Sequence, residues 1–178
     1  MKKIIVRTLI SLAIILVVLL IIASTKPDNF RVERTLNVKA SPESIAVLIN
    51  DFHKWGSWSP YEKVDPSMKR TYSGADYGKG AIYEWDGNGK AGAGRMEIIE
   101  TAPMKIAIKL DFLKPFEGHN TAEFILEPKS DSSTNVTWAI YGPNHFAGKF
   151  MGIFFNMDKM IGKDFETGLS NIRSVTAK

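Results

Sequence analysis

The sequence predicts an α+β fold, in which a curved antiparallel sheet of about seven strands wraps around a long C-terminal helix. An N-terminal transmembrane helix precedes this domain. Three observations support the prediction: an uncharged apolar run near the N-terminus, short segments of alternating apolar and polar residues in the middle, and apolar residues at helical spacing near the C-terminus. A chain of 178 residues has room for one domain and one appendage.

The apolar run extends from Ile4 to Ala23 and is interrupted only by Arg7. Such a run is long enough to cross a bilayer, which takes about 20 residues. A helix that is apolar on every side does not fit the core of a small domain. The run therefore predicts a membrane anchor. A cleaved signal peptide is the alternative, although no A-x-A cleavage site follows.

The orientation of this anchor follows from the charges beside it. The basic residues Lys2, Lys3 and Arg7 flank its N-terminal end. The positive-inside rule then places the N-terminus in the cytoplasm and the rest of the chain outside it. We expect residues 1–25 to form the anchor, with residues 4–23 in the membrane, and residues 26–178 to form one extracytoplasmic domain.

The overall composition excludes several classes of function. Three of the 23 basic residues lie in the anchor, which has no acidic residue, and the remaining 20 nearly balance 19 acidic residues. The domain is therefore close to neutral and lacks the basic surface of a nucleic-acid-binding protein. The absence of cysteine excludes disulfides, thiolate metal sites and a cysteine nucleophile.

The domain begins with a predicted strand and a capped helix. Residues 30–38 alternate, with one apolar face made by Phe30, Val32, Leu36 and Val38. Ser41-Pro42-Glu43 then supplies an N-cap, a proline in the first turn and an acid at the positive end of the helix dipole. The helix should run to about Ile49. Residues 51–66, rich in Trp, Gly and Pro, predict a short helix and a structured loop.

Six further segments have strand patterns bounded by turn residues. They lie at residues 68–72, 81–86, 95–100, 105–112, 121–127 and 135–141. In the clearest of them, Ile106, Ile108 and Leu110 alternate with charged residues. This alternation is typical of antiparallel strands with one face in water.

The C-terminal segment repeats apolar residues every three or four positions from Phe150 to Val175, which predicts one amphipathic helix. The apolar face of the sheet must be covered, and this helix is the only long amphipathic element available. A sheet that curls around one helix leaves a space where the two diverge. Met157 and Met160 suit an irregular pocket, because methionine adapts its shape. A dry core filled by the same side chains is equally compatible with the pattern.

Three local motifs, in this order of elements, resemble the SRPBCC superfamily, whose members are START-like or polyketide-cyclase/dehydrase-like helix-grip proteins. The motifs are Asp51-Phe52-x-x-Trp55-x-x-Trp58-Ser59-Pro60, then Tyr83-x-Trp85-x-Gly87-Asn88 with Gly92-x-Gly94-x-Met96, then Met157-Asp158-x-Met160-Ile161-Gly162-x-Asp164-Phe165-Glu166-x-Gly168-Leu169. The resemblance covers about residues 30–176 and extends to a bacterial subgroup with an N-terminal membrane helix. It implies a helix-grip fold with a hydrophobic cavity, and commonly a lipid, sterol, quinone or polyketide-like ligand. It does not imply catalysis.

Two patterns predict which side chains line this cavity. One is strand parity, the alternation of side chains between the two faces of the sheet, and the other is the helical stripe of apolar residues in the C-terminal segment. These predicted ligand-binding residues are Tyr83, Trp85, Met96, Phe112, Phe124, Trp138, Phe154, Met157 and Ile161. Trp58 is a tenth predicted ligand-binding residue, because the resemblance implies that loops of this region lie near the mouth of the pocket. Trp58 fits either a cavity lid or a loop pinned to the core. For Trp55 we expect the pinned loop, with its indole N–H hydrogen-bonded.

Other chemistry finds little support in the sequence. Residues 87–92 match G-x-G-x-x-G, but a strand follows rather than the helix that a dinucleotide site needs, so a hairpin turn is expected. The three histidines are scattered, without the spacing of metal ligands. We therefore expect no cofactor and no metal.

The acids of the last helix, Asp158, Asp164 and Glu166, should be exposed to solvent. Glu84 should be exposed as well. If the strand has the opposite register, Glu84 points into the cavity and is a candidate general acid or base.

Three classes of function remain open. The leading hypothesis is a noncatalytic protein that binds or carries an apolar small molecule or lipid at the membrane surface. The second is a cyclase- or hydrolase-like enzyme that uses a buried carboxylate with Tyr83 or Tyr141. The third is a structural interaction module of the cell envelope, with side chains filling the cavity. Cavity volume separates them, because a drug-sized site needs about 300 Å³ or more.

Overall fold

A computed structural model describes residues 1–130 and 132–177, apart from the side chain of Lys2. Its centre is one antiparallel sheet of seven strands in the order β1-β7-β6-β5-β4-β3-β2. The strands are β1 (Asn29–Val38), β2 (Lys69–Gly74), β3 (Ala81–Asp86), β4 (Ala93–Ala102), β5 (Lys105–Lys114), β6 (Gly118–Ser130) and β7 (Ser133–Pro143). All seven predicted strands are confirmed, most of them extended by a few residues. The α+β class is confirmed with them.

The helices are α1 (Lys2–Ser24), α2 (Pro42–Ile49), α3 (Phe146–Met151) and α4 (Met157–Thr176). Two 3-10 helices, Phe52–Ser57 and Pro60–Lys63, follow α2. The predicted cap of α2 is confirmed, since the side chain of Ser41 accepts a hydrogen bond from the amide of Ser44. Helix α1 has 23 residues, or about 35 Å of length, and the composition of a membrane anchor or a signal sequence.

The C-terminal helix is shorter than predicted. The stripe was expected to start at Phe150, but that residue belongs to α3, and residues 152–156 separate α3 from α4. The Asn156 side chain accepts a hydrogen bond from the amide of Lys159 at 2.9 Å, which makes Asn156 the N-cap of α4. Glycines at 148 and 152 also weaken a continuous helix. Phe154 therefore lies in the connection before α4 and not on that helix.

The core is aromatic where α4 crosses the sheet. The ring of Trp138 on β7 stacks on Phe165 of α4, with centroids 4.1 Å apart, and on Phe124 of β6 at 5.1 Å. Trp55 and Trp58 close this cluster from the first 3-10 helix and its C-terminal end. Their indole N–H groups donate to the carbonyls of Ile49 and Leu48, both at 3.0 Å. The pinned loop expected for Trp55 is confirmed, and Trp58 is held in the same way.

Candidate functional site

A large cavity lies between the sheet, α3 and the N-terminal half of α4. With its open mouth it has a volume of about 1550 Å³. Eight of the ten residues predicted from the sequence lie in its wall: Tyr83, Trp85, Met96, Phe112, Trp138, Phe154, Met157 and Ile161. The first five come from the sheet, on strands β3, β4, β5 and β7. All five lie on the same face of the sheet, as the alternation of side chains along each strand predicts.

Trp58 and Phe124 are not part of this wall. Both are fully buried, with 0% of their surface exposed, and their rings meet edge to face at 5.9 Å. Each also contacts the ring of Trp138, which does line the cavity. They form a second layer behind the wall. For Phe124, strand parity determines the face of the side chain but not its depth, and Trp58 comes from a segment without strand parity. The lid alternative for Trp58 is therefore excluded.

The mouth of the cavity is apolar and open to solvent. Six large apolar side chains in the wall are 48–82% exposed: Phe116, Met151, Phe154, Phe155, Met157 and Met160. We call these six the mouth residues. A contiguous exposed apolar surface of this kind marks an interaction with a membrane, a ligand or another protein.

The mouth lies beside the end of α1. Helix α3 packs against α1, whose residue Ala23 is fully buried. The linker is tied to the same region, since the amide of Asn144 donates to the carbonyl of Asp28 at 2.7 Å. Lys149 of α3 also forms an ion pair with the Asp28 side chain. These contacts hold the mouth close to the point where the apolar helix ends.

A carboxylate that the sequence did not single out lies in the wall beside Tyr83. Oε1 of Glu62 accepts a hydrogen bond from the Tyr83 hydroxyl at 2.6 Å, and Oε2 pairs with Nε of Arg70 at 2.6 Å. Burial, followed by the bond to Glu62, raises the pKa of the Tyr83 hydroxyl, so this group stays protonated. Residues 51–66 have no periodicity that could have predicted the direction of Glu62.

The alternative catalytic groups lie elsewhere. Glu84 is exposed on β3, which confirms the solvated orientation. Tyr141 lies beside Arg31, with its ring centroid 5.1 Å from the guanidinium carbon, and is not part of the cavity wall. Neither side chain reaches the cavity from its strand, because both have the parity of the outer face.

One of the three acids of α4 is less exposed to solvent than predicted. Asp158 and Glu166 are exposed and pair with Arg34, at 3.0 and 2.9 Å. Asp164 was expected to be solvated as well, but it is partly buried in the cavity wall. Burial raises the pKa of its carboxyl group, and burial also raises the pKa of the neighbouring Tyr61 hydroxyl. The sequence pattern assigned only the apolar positions of α4 to the side that faces the sheet. The part of α4 that lines the cavity is wider than this set of apolar positions and includes Asp164.

No potential metal-binding cluster of three or more His, Asp or Glu side chains occurs within residues 1–130 and 132–177. Hydrogen-bonding residues of the cavity wall include Tyr61, Glu62, Tyr83 and Asp164, together with Ser59 and Trp138. The arrangement suits an apolar molecule that carries a few polar atoms.

Residues 29–176 match the protein family described as "Polyketide cyclase / dehydrase and lipid transport". The chain belongs to this family. The predicted superfamily is thereby confirmed, since the matched range is nearly the one over which the motifs resemble it. No curated protein sequence matches the chain.

Solved structures share the fold at low sequence identity. The Zhui aromatase/cyclase from Streptomyces sp. R1128 superposes with a TM-score of 0.59 at 11% identity, over 84% of this chain and 94% of that one. A START superfamily protein from Mycobacterium smegmatis gives a TM-score of 0.55 at 15% identity, over 83% and 97% of the two chains. A protein from Bacillus thuringiensis gives 0.58 at 14% identity, over 84% and 100%. The predicted helix-grip fold is confirmed by these similarities.

Proposed function

We propose that this family member binds and carries a hydrophobic small molecule or lipid in its cavity at the surface of a membrane. One observation carries the proposal: an apolar cavity of about 1550 Å³ opens through exposed apolar residues beside the end of α1. Ligand pockets in proteins usually enclose about 300–1,000 Å³. This space, with its mouth, has room for a ligand as large as a lipid. The size also argues against a structural module filled by its own side chains.

The membrane location rests on α1 and its linker. In this proposal residues 1–25 are an uncleaved anchor with a cytoplasmic N-terminus, and residues 26–178 are the binding domain outside the cytoplasm. Four residues, 25–28, connect α1 to β1 and span at most about 14 Å when extended. The mouth residues then lie near the bilayer surface, where an apolar ligand can pass between cavity and membrane with little contact with water.

An enzymatic role has weaker support. The pair of Glu62 and Tyr83 matches the predicted carboxylate and tyrosine, but both carboxylate oxygens of Glu62 are already engaged. Asp164 with Tyr61 remains as a possible acid in the wall. We therefore propose binding without catalysis.

The proposal is tested by filling the cavity from its floor. Ala122 on β6 is buried and lines the cavity, so the Ala122→Phe substitution should occupy ligand space at little cost in stability. Native mass spectrometry of the full-length protein, purified from membranes in detergent, should show a bound lipid in the wild type and none in Ala122→Phe.

Ala81→Phe is the matched control. Ala81 is equally buried in the core but does not line the cavity. Overpacking there should lower the free energy of unfolding by about 1–3 kcal/mol. A wild type without bound lipid, together with an Ala122→Phe variant that loses as much stability as Ala81→Phe, would show that the space is a packed core and overturn the proposal.

A further inference from the structure

Two buried polar atoms, both in residues of the cavity wall, have no hydrogen-bond partner in the described part of the chain. They are Oγ of Ser59 and Nε1 of Trp138. The two residues are 0% and 3% exposed, and both line the cavity. A buried polar atom without a partner costs stability, so native proteins contain few of them.

The indole of Trp138 differs in this respect from the other three indoles. Those of Trp55, Trp58 and Trp85 each donate to a backbone carbonyl, at 3.0, 3.0 and 3.1 Å. Trp138 is held rigidly by its stacking on Phe165, so its N–H cannot turn to a distant acceptor. The unpartnered donor is thus a fixed feature of the cavity wall.

From these two atoms we infer a polar subsite, Ser59 and Trp138, that binds an uncharged acceptor oxygen of an otherwise apolar ligand. The chemical class is a ketone, ester or hydroxyl oxygen on a ring or chain. An indole N–H can only donate, so its partner must be an acceptor. A hydroxyl group can donate to the same kind of oxygen. This inference rests on the proposed function, since it names the ligand class of the same cavity.

The charges around the cavity favour an uncharged ligand head. The wall contains four acids, of which Glu117 and Asp158 are exposed and Glu62 and Asp164 are partly buried. The two partly buried acids would disfavour a buried carboxylate or phosphate. The basic residues of the lining are Lys26, Arg31, Lys90 and Lys149. The first three are exposed, and Lys149 is already paired with Asp28. A charged group would therefore remain at the mouth, with the neutral oxygen inside.

A matched pair of probes tests the subsite: 2-acetylnaphthalene, an uncharged ketone, and 2-isopropenylnaphthalene, in which a CH₂ group replaces the oxygen. Equilibrium dialysis measures the binding of each to the full-length protein in lipid nanodiscs, with empty nanodiscs as the reference for partition. The wild type should bind the ketone more tightly. Ser59→Ala should weaken ketone binding about 3- to 10-fold, the value of one hydrogen bond, and leave binding of the alkene unchanged.

Stability separates the subsite from an ordinary structural hydrogen bond. Without ligand, Ser59→Ala should leave the melting temperature unchanged or raise it, because the lost hydroxyl has no protein partner. Ser57→Ala is the control: its hydroxyl donates to the Lys54 carbonyl at 2.6 Å, outside the cavity wall. That control should leave the preference for the ketone intact. Trp138→Phe should lower ketone binding as Ser59→Ala does, whatever its melting temperature.

Three outcomes would overturn the inference. Equal affinity of the wild type for both probes would show that the subsite does not bind the oxygen, while the cavity still binds apolar molecules. An unchanged preference in Ser59→Ala would show that water satisfies these atoms. Binding of neither probe above the nanodisc reference would overturn the proposed function itself, and the subsite with it.

Discussion

Gly168 of α4 lies directly against the indole ring of Trp138 on β7. A methyl group added at Gly168 would come within 2.5 Å of Cζ3 of Trp138 and 3.2 Å of Cδ of Pro60. No relaxed contact is that short. The absence of a side chain at this position is therefore what lets α4 approach the wall of the cavity.

Gly168→Ala should destabilise the protein by about 1–3 kcal/mol, although alanine is the better helix former by about 1 kcal/mol. Overpacking should outweigh helix propensity, because Trp138 is stacked between Phe124 and Phe165 and cannot move freely. Chemical unfolding measures the difference. Gly56→Ala, where an added methyl group meets no atom within 4 Å, should have little effect. A more stable Gly168→Ala variant would contradict this packing.

Asp65 should make stability depend on acidic pH. Its carboxylate accepts hydrogen bonds from the Ser67 hydroxyl at 2.7 Å, the Ser67 amide at 3.0 Å and the Asn88 amide at 2.8 Å. The bond from the Ser67 hydroxyl, followed by that from the Asn88 amide, lowers the pKa of Asp65 below its ordinary value of 3.8. A lowered pKa in the folded state contributes stability above pH 3.8, which is lost as the pH falls through the folded pKa.

Thermal unfolding between neutral pH and about pH 3 measures this contribution. Asp65→Asn cannot titrate, so its melting temperature should be lower at neutral pH and should fall less on acidification. Ser67→Ala removes one donor and should reduce the pH dependence partially. Equal pH slopes for the wild type and Asp65→Asn would show that Asp65 does not contribute.

The mouth residues should admit lipid chains from the bilayer. All four tryptophans lie in the domain and none in α1, and Trp55, Trp85 and Trp138 line the cavity. Lipids brominated on their acyl chains quench nearby tryptophans, so the fluorescence of the full-length protein in such vesicles should report a chain in the cavity. Phe116→Glu should reduce the quenching, because Phe116 is the most exposed mouth residue and a charge there resists contact with lipid.

Tyr77→Glu is the control for this experiment. Tyr77 is also largely exposed, but it lies in the connection between β2 and β3, away from the cavity wall. It should not change the quenching, and neither substitution should lower the melting temperature much. Equal quenching in all three proteins would argue against uptake of lipid through the mouth.

Helix α1 should remain attached and hold the protein in a membrane. Alkaline carbonate should leave the full-length protein in the membrane fraction, since an apolar span of this length is not displaced by charge. N-terminal sequencing of that fraction should begin within the first residues. A mature protein that begins after Ala23 and dissolves on carbonate treatment would establish a cleaved signal sequence instead.

The sequence by itself determined the elements and their order, except the break between α3 and α4, since each rests on a local rule. Alternation placed the seven strands, the Ser41 cap placed the start of α2, and the long apolar run identified α1. Parity also placed five sheet residues on the face that lines the cavity. These signals are local because a side chain's direction along a regular strand or helix repeats with the backbone.

Only the tertiary structure decided how deeply each side chain is buried and which side chains meet at the cavity. Phe124 has the correct parity but lies behind the wall, as does Trp58, which comes from a loop without parity. Asp164 lies in the wall although it belongs to the polar side of the helical pattern. Glu62 and Ser59 come from a segment without periodicity, so nothing in their neighbours indicates that they face Tyr83 and the cavity. Where a sheet and a helix diverge, the distance between them depends on contacts far apart in the chain, such as Gly168 against Trp138. That distance produces the cavity, and no local pattern records it.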